Sequence, residues 1–188
     1  SLYPDNSDTM FGTGLKANAY VHSASWGSKS GNVYKRRDLD FDKYHYENDK
    51  FLLFMPAGNY GKFNKQNSVV NVGKNYVTVC ASQNIDSGKG LNYVADFSGR
   101  GPTRDGRIKP DICAPGTHIY SAAPSTSRNC RFEILGGTSM ANPGAAGAAL
   151  LIRQYFMEGW YPTGTKVFSN RRTPSGALIK AILVNSGR

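Results

Sequence analysis

Apolar residues come in short blocks separated by polar, glycine-rich stretches. Phe51 to Met55 (FLLFM) is an unbroken apolar run closed by Pro56-Ala57-Gly58. Such a run, without alternation, predicts a strand buried on both faces of a parallel sheet. Tyr76 to Cys80 (YVTVC) predicts a second one, and shorter strand-like runs lie at Ala19 to Ser25, His118 to Ala122 and Phe132 to Leu135. Asp38 to Asp49 is polar with Leu39, Phe41, Tyr44 and Tyr46 interleaved, a poor but plausible fit to a surface helix. Loops rich in Gly, Ser, Asn and Asp follow at Ser82 to Gly90 and Ser98 to Gly106. The clearest helix runs from about Ser139 to Phe156, and its Ala145-Ala146-Gly147-Ala148-Ala149 segment predicts close, central packing. Pro143 near its start is tolerated because first-turn amides have no intrahelical acceptor to lose. A last helix is predicted from Ser175 to Val184, with Pro174 as its start signal. Strands alternating with helices imply an α/β fold, a parallel sheet covered on both faces.

Composition adds bounds. The chain has 188 residues, enough for one domain or a large part of one. Hydrophobic residues at 39% and charged residues at 19% allow a core and argue against wholesale disorder. No apolar stretch is long enough to span a membrane, and Ser1 to Thr9 lack the basic and apolar regions of a signal peptide. The net charge of +10 invites a nucleic-acid reading. The basic residues are scattered, however (Lys35 to Arg37, Lys62 and Lys65, Arg104 and Arg107, Arg171 and Arg172), which reads as a solvated surface and no nucleic-acid partner. The three cysteines form no C-x-x-C and no Cys/His cluster, so no zinc site is expected. Cys80 and Cys113 sit in apolar runs and read as small buried hydrophobes; a pairing that involves Cys130 stays open.

The most informative string is Gly136-Gly137-Thr138-Ser139-Met140-Ala141. It places a serine where a glycine turn meets a helix N-terminus, whose unpaired amides and dipole favour developing negative charge. An ordinary N-cap serine would sit there too. Here the sequence resembles the subtilisin-like serine peptidases (subtilases), whose nucleophile lies in G-T-S-M-A-x-P at the start of a buried, alanine-rich helix. Gly137 to Pro143 (GTSMANP) matches in full, although Gly144 stands where many members have a non-catalytic histidine.

The resemblance covers most of the chain. It implies a subtilisin-like parallel sheet flanked by helices, present only as a partial domain: residues 1–188 would be the C-terminal portion of a catalytic domain. It assigns Ser139 as nucleophile. Asn59, in Pro56-Ala57-Gly58-Asn59, takes the position that donates to the oxyanion. Ser25-Trp26-Gly27 is similar to the strand that borders the substrate cleft, and Ala57 and Gly58 would line the primary side-chain pocket. The segments FSGRGP (97–102) and KPDICAPG (109–116) look like scaffold loops, with Asp111 structural. Pro174 to Ser186 resembles the domain's closing helix. The implied activity is endopeptidase hydrolysis of peptide bonds. No cofactor is required for the chemistry, structural calcium is allowed in the parent protein, and the partners are a polypeptide substrate and a pro-segment inhibitor. The resemblance also implies the secretory pathway or secretion.

A serine nucleophile needs a base and a carboxylate that orients it. Chain order in subtilisins puts both before Asn59, and no D-[ST]-G or H-G-T-H context occurs there. His22 reads as cleft-facing or packed, His45 as a surface residue, and His118 as part of the scaffold. Asp86-Ser87-Gly88 reads as turn chemistry. The expectation is a chain that starts after the Asp and His elements, inactive alone and exposing apolar surface. The alternative is a non-catalytic peptide-binding pseudoenzyme of the same fold.

Overall fold

The computed structural model describes residues 6–27, 31–62, 67–85, 90–124 and 129–187. Four parallel strands form the central sheet in the order β1 (Val21–Ser23), β2 (Leu52–Pro56), β3 (Val77–Ser82) and β4 (Ile112–Pro115). The register pairs Ser23 with Phe54, Phe54 with Val77 and Val79 with Ile112.

The strand β2 explains its own sequence. Leu52 and Phe54 point to one face and pack with Val77, Val79 and Ala81 of β3. That face is covered by α3 (Thr138–Met157) through Ala141, Ala145, Ala146 and Ala149, and by α4 (Gly176–Ser186) through Ile179 and Leu183. Leu53 and Met55 point the other way, into an aromatic cluster with Phe11 of α1 (Ser7–Lys16) and with Phe41 and Tyr44 of α2 (Arg36–Glu47). Both faces are dry, so no alternation survives in FLLFM. Four alanines let α3 lie close against the sheet.

Five features depart from the sequence expectation. Helix α1 was not foreseen; Asn6 caps it by accepting the Asp8 amide at 2.7 Å, and Phe11 is its one buried anchor. The polar 38–49 segment is a helix, α2, as its weak pattern allowed, but not a surface one: Asp38, Asp42 and His45 are buried on its inner side. Asp42 accepts the amides of Lys74 and Asn75, which replaces the water that the carboxylate gives up. The 109–116 segment contains the strand β4. The strands β5 (Ile119–Ala123) and β6 (Arg131–Leu135) form an antiparallel hairpin apart from the parallel sheet. Finally, Cys80 and Cys113 are not lone hydrophobes. They face each other in register across β3 and β4 and form a disulfide, with Cys113 exposed and Cys130 free. Only strand pairing could have brought these two together.

Pro143 lies beyond the first turn of α3, which begins at Thr138. It therefore deprives the Ser139 carbonyl of its i+4 donor. The Ser25 hydroxyl donates to that carbonyl instead, at 2.9 Å. At the far end α4 is capped by Ser175, whose hydroxyl accepts the Leu178 amide.

Candidate active site

Three chain segments converge at the carboxyl ends of the parallel strands, where open α/β sheets bind ligands. Residues 24–27 run on from β1, residues 57–59 run on from β2, and the N-terminus of α3 rises between them. The ladder of β1 ends with Ser23 opposite Phe54 and the Ala24 amide on Phe54 O at 3.0 Å. Ser25, Trp26 and Gly27 then extend past the sheet.

Ser139 is the second residue of α3, and the helix N-cap is Gly137, which makes no side-chain cap bond. The N-cap reading of Ser139 therefore does not hold, and its hydroxyl serves no capping role. It lies 3.4 Å from Ser25 O. Among the described residues no acceptor takes the Ser139 amide. The N-terminal orphan amides are divided: Thr138 N donates to Asn59 Oδ1 at 3.0 Å, and the next one, on Ser139, faces out.

Asn59 is oriented by the same partner. Thr138, 1% exposed, donates its hydroxyl to Asn59 Oδ1 at 2.9 Å, and that hydroxyl accepts the Gly58 amide at 3.1 Å. A backbone N–H can only meet an oxygen here, so the Asn59 rotamer is settled. Its Nδ2 is left as a donor with no acceptor among the described residues, and it lies beside Gly137, 3.5 Å from where a Cβ would stand. The unpartnered Ser139 amide, 3.7 Å from the same point, shares that neighbourhood. Thr138 carries no mark in the sequence beyond its place in the serine string, yet it is the residue that aims Asn59.

The two strips beside Ser139 are held from behind. Asn71, fully buried, donates to Trp26 O at 3.2 Å and to Pro56 O at 2.7 Å. Gly99 N donates to Gly58 O at 2.7 Å, and a Cβ at Gly99 would collide with the Ala57 carbonyl. The 97–102 loop thus props the Ala57-Gly58 strip directly.

All three histidines are described, and none hydrogen-bonds Ser139. His22 is packed, its ring 4.9 Å from Phe11, and burial lowers its pKa. His45 is buried, not on the surface: its Nδ1 lies 2.7 Å from Phe41 O and its Nε2 accepts the Leu53 amide at 3.1 Å. That geometry puts the proton on Nδ1, and burial pushes the imidazole pKa below its usual 6.5. The interleaved tyrosines and acids of α2 hid this inward face. His118 is exposed in the turn before β5. Asp86, Ser87 and Gly88 lie outside the described residues.

Asp111 sits at the opposite, amino end of the strands. It accepts the Thr78 amide at 2.7 Å and pairs with Lys109 at 2.5 Å and Lys180 at 3.3 Å. Burial lowers the Lys109 pKa to about 8 against the pull of Asp111. This cluster ties α4 to the sheet. Among the described residues no group of three or more His, Cys, Asp or Glu side chains could hold a metal ion. No described helix is long and apolar enough to cross a membrane.

Residues 5–187 match the sequence model of the Subtilase family. Over 109 residues, 52% of this chain and 6% of the relative, the sequence is 43% identical to a protein of Dictyostelium discoideum named Serine protease/ABC transporter B family protein tagD. Over 114 residues, 55% of this chain and 26% of the relative, it is 37% identical to Serine protease AprX of Bacillus subtilis. The fold is similar to that of the prenylagaramide maturation protease PagA, with a TM-score of 0.70 and 24% identity over 100% of this chain and 60% of that one. The chain thus spans about a quarter or less of the length of these curated relatives.

Proposed function

The chain belongs to the subtilase family, and from that premise we propose that it supplies the nucleophile and the oxyanion site of a serine endopeptidase. One observation carries the reading: Ser139 Oγ is free of capping duty at a helix N-terminus where two unpartnered donors, its own amide and Asn59 Nδ2, both lie within 3.7 Å of one point beside Gly137.

In this reading Ser139 Oγ attacks the carbonyl carbon of the scissile peptide bond. A histidine from another part of the parent polypeptide takes the hydroxyl proton, with an aspartate orienting it. The carbonyl oxygen becomes an oxyanion and is stabilised by Asn59 Nδ2 and the Ser139 amide. The tetrahedral intermediate collapses as the histidine returns the proton to the leaving amine, and water then hydrolyses the acyl-enzyme. Residues 25–27, extended beyond the ladder, offer backbone groups for pairing with an extended substrate, while Ala57 and Gly58 line the pocket. No step needs a metal or an organic cofactor.

The base is sought elsewhere because none of the three histidines of this sequence hydrogen-bonds Ser139. Two features support further catalytic-domain structure packed on this chain. No described strand pairs with the outer edge of β1, and α3 leaves Leu150 and Leu151 54% and 69% exposed. The Cys80–Cys113 disulfide supports an oxidising compartment, in keeping with secretion. A pro-segment that blocks the cleft before maturation fits the same reading.

The test is covalent labelling. In the full-length parent protein a fluorophosphonate should modify Ser139 and peptide hydrolysis should vanish with Ser139→Ala. The 188 residues alone should hydrolyse nothing. A full-length protein that binds peptides but neither labels nor cleaves would establish the pseudoenzyme reading instead.

A further inference from the structure

We propose that Val70 closes the floor of the primary side-chain pocket, so that cleavage follows small, uncharged residues of alanine, glycine or serine size. This rests on the peptidase reading and adds the substrate class for the same cleft.

The two backbone strips that flank Ser139 each carry a glycine, Gly27 on one and Gly58 on the other. Neither contributes a side chain to the space between them. Asn71 fastens the strips from below through Trp26 O and Pro56 O, and the residue just before it fills the gap. A Cβ on Gly58 would stand 2.8 Å from Val70 Cγ2 and 3.1 Å from Cγ1, and a Cβ on Gly27 would stand 3.2 Å from the same Cγ2. One methyl group therefore reaches both strips at once. Val70 is buried, at 7% exposure.

This floor cannot drop away. Val70 N donates to Ala57 O at 3.0 Å and Val69 N donates to Arg100 O at 3.0 Å, which fixes the backbone on both sides. The β-branched side chain has few rotamers to retreat into. Its chain neighbours Val69 and Val72 are buried in a cluster with Ala57 and Cys80. The surroundings are also neutral. Arg37 is committed to Asn71 Oδ1 at 3.1 Å and to the face of Trp26, with 5.4 Å to the ring centroid. Gly58 has φ of 94°, a conformation that favours glycine, so the bare wall is imposed by the backbone.

A substrate residue larger than the space above Val70 must leave part of its side chain outside or shift the wall. Pockets of this kind discriminate by roughly 10- to 200-fold for a methylene-sized mismatch.

The experiment uses the full-length parent protein and peptides that differ only in the residue on the acyl side of the scissile bond. The expected kcat/KM is highest for Ala, Gly or Ser and at least about 10-fold lower for Leu, Phe, Lys and Glu. Val70→Gly should raise the Phe-to-Ala ratio of kcat/KM at least about 10-fold, with Val70→Ala intermediate. The wild-type series decides the matter even if a variant fails to fold. Preference for Leu or Phe in the wild type, or a ratio unmoved by folded Val70 variants, overturns the assignment while the peptidase reading stands. Absence of both cleavage and Ser139 labelling overturns the peptidase reading and this assignment with it.

Discussion

Thr138→Val isolates the positioning of Asn59 from the chemistry of Ser139. Valine keeps the shape of threonine and removes one hydroxyl. That hydroxyl makes two hydrogen bonds, to Asn59 Oδ1 at 2.9 Å and from Gly58 N at 3.1 Å, while Thr138 N still holds Asn59 Oδ1 at 3.0 Å. Losing one of two anchors on the amide forfeits about 1 kcal/mol of restraint, within roughly 0.5 to 1.5. If that restraint is expressed at the oxyanion, kcat falls roughly 2- to 13-fold. KM should stay within about twofold, because the oxyanion exists only in the transition state. The orphaned Gly58 amide adds a stability loss of roughly 1–3 kcal/mol. The assay is steady-state hydrolysis of one alanine-type peptide by full-length wild type, Thr138→Val and Thr138→Ser, each with its thermal midpoint. Thr138→Ser keeps the hydroxyl and should match wild type in kcat within about twofold. An unchanged kcat in Thr138→Val, a loss confined to KM, or an equal loss in Thr138→Ser would refute the reasoning, since the last would trace the effect to the methyl group.

Other perturbations reach separate parts of the structure. The fold holds His45 neutral, with a pKa below 6.5, because burial penalises the cation and Nε2 must accept the Leu53 amide. The unfolded chain therefore takes up the proton first as pH falls, so this contribution to stability is complete above pH 6.5 and is lost progressively below it; unfolding titrations between pH 8 and 5 should show the loss, and His45→Gln should reduce it. The Cys80–Cys113 bridge closes a separation of 33 residues, worth about 3–4 kcal/mol in the chain-entropy model, so Cys80→Ala with Cys113→Ala should lower the denaturation midpoint while Cys130→Ala leaves it unchanged. Gly99→Ala drives a methyl group into the Ala57 carbonyl and should displace the pocket wall, with a larger effect on peptide hydrolysis than on the Ser139 labelling rate. Phe54→Ala empties a fully buried site beneath α3 and should cost about 3–5 kcal/mol in chemical denaturation.

Much of this architecture was legible because it is written in adjacent residues. The unbroken run at β2, the alanine-rich stretch of α3 and the Pro-Ser start of α4 each declare an element within one short window. The string around Ser139 and the Asn after Pro56-Ala57-Gly58 mark the candidate site in the same way. Elements with weaker local signals were lost: α1 has one buried apolar anchor, and α2 turns acids and a histidine inward because partners from distant segments satisfy them. The strand β4 is only four residues long, and two of them, Cys113 and Pro115, are exposed.

What the sequence determined by itself was the family, the parallel α/β frame and the identity of the nucleophile candidate, because these depend on local periodicity and on one contiguous motif. The tertiary structure alone decided how the site is aimed and how large a side chain it admits. Thr138 meets Asn59 across 79 positions of chain, Ser25 meets Ser139 across 114, and Cys80 meets Cys113 across 33. Such pairs are set by strand register and by the packing of α3 on the sheet, and a one-residue shift in either would separate them while leaving every local pattern intact.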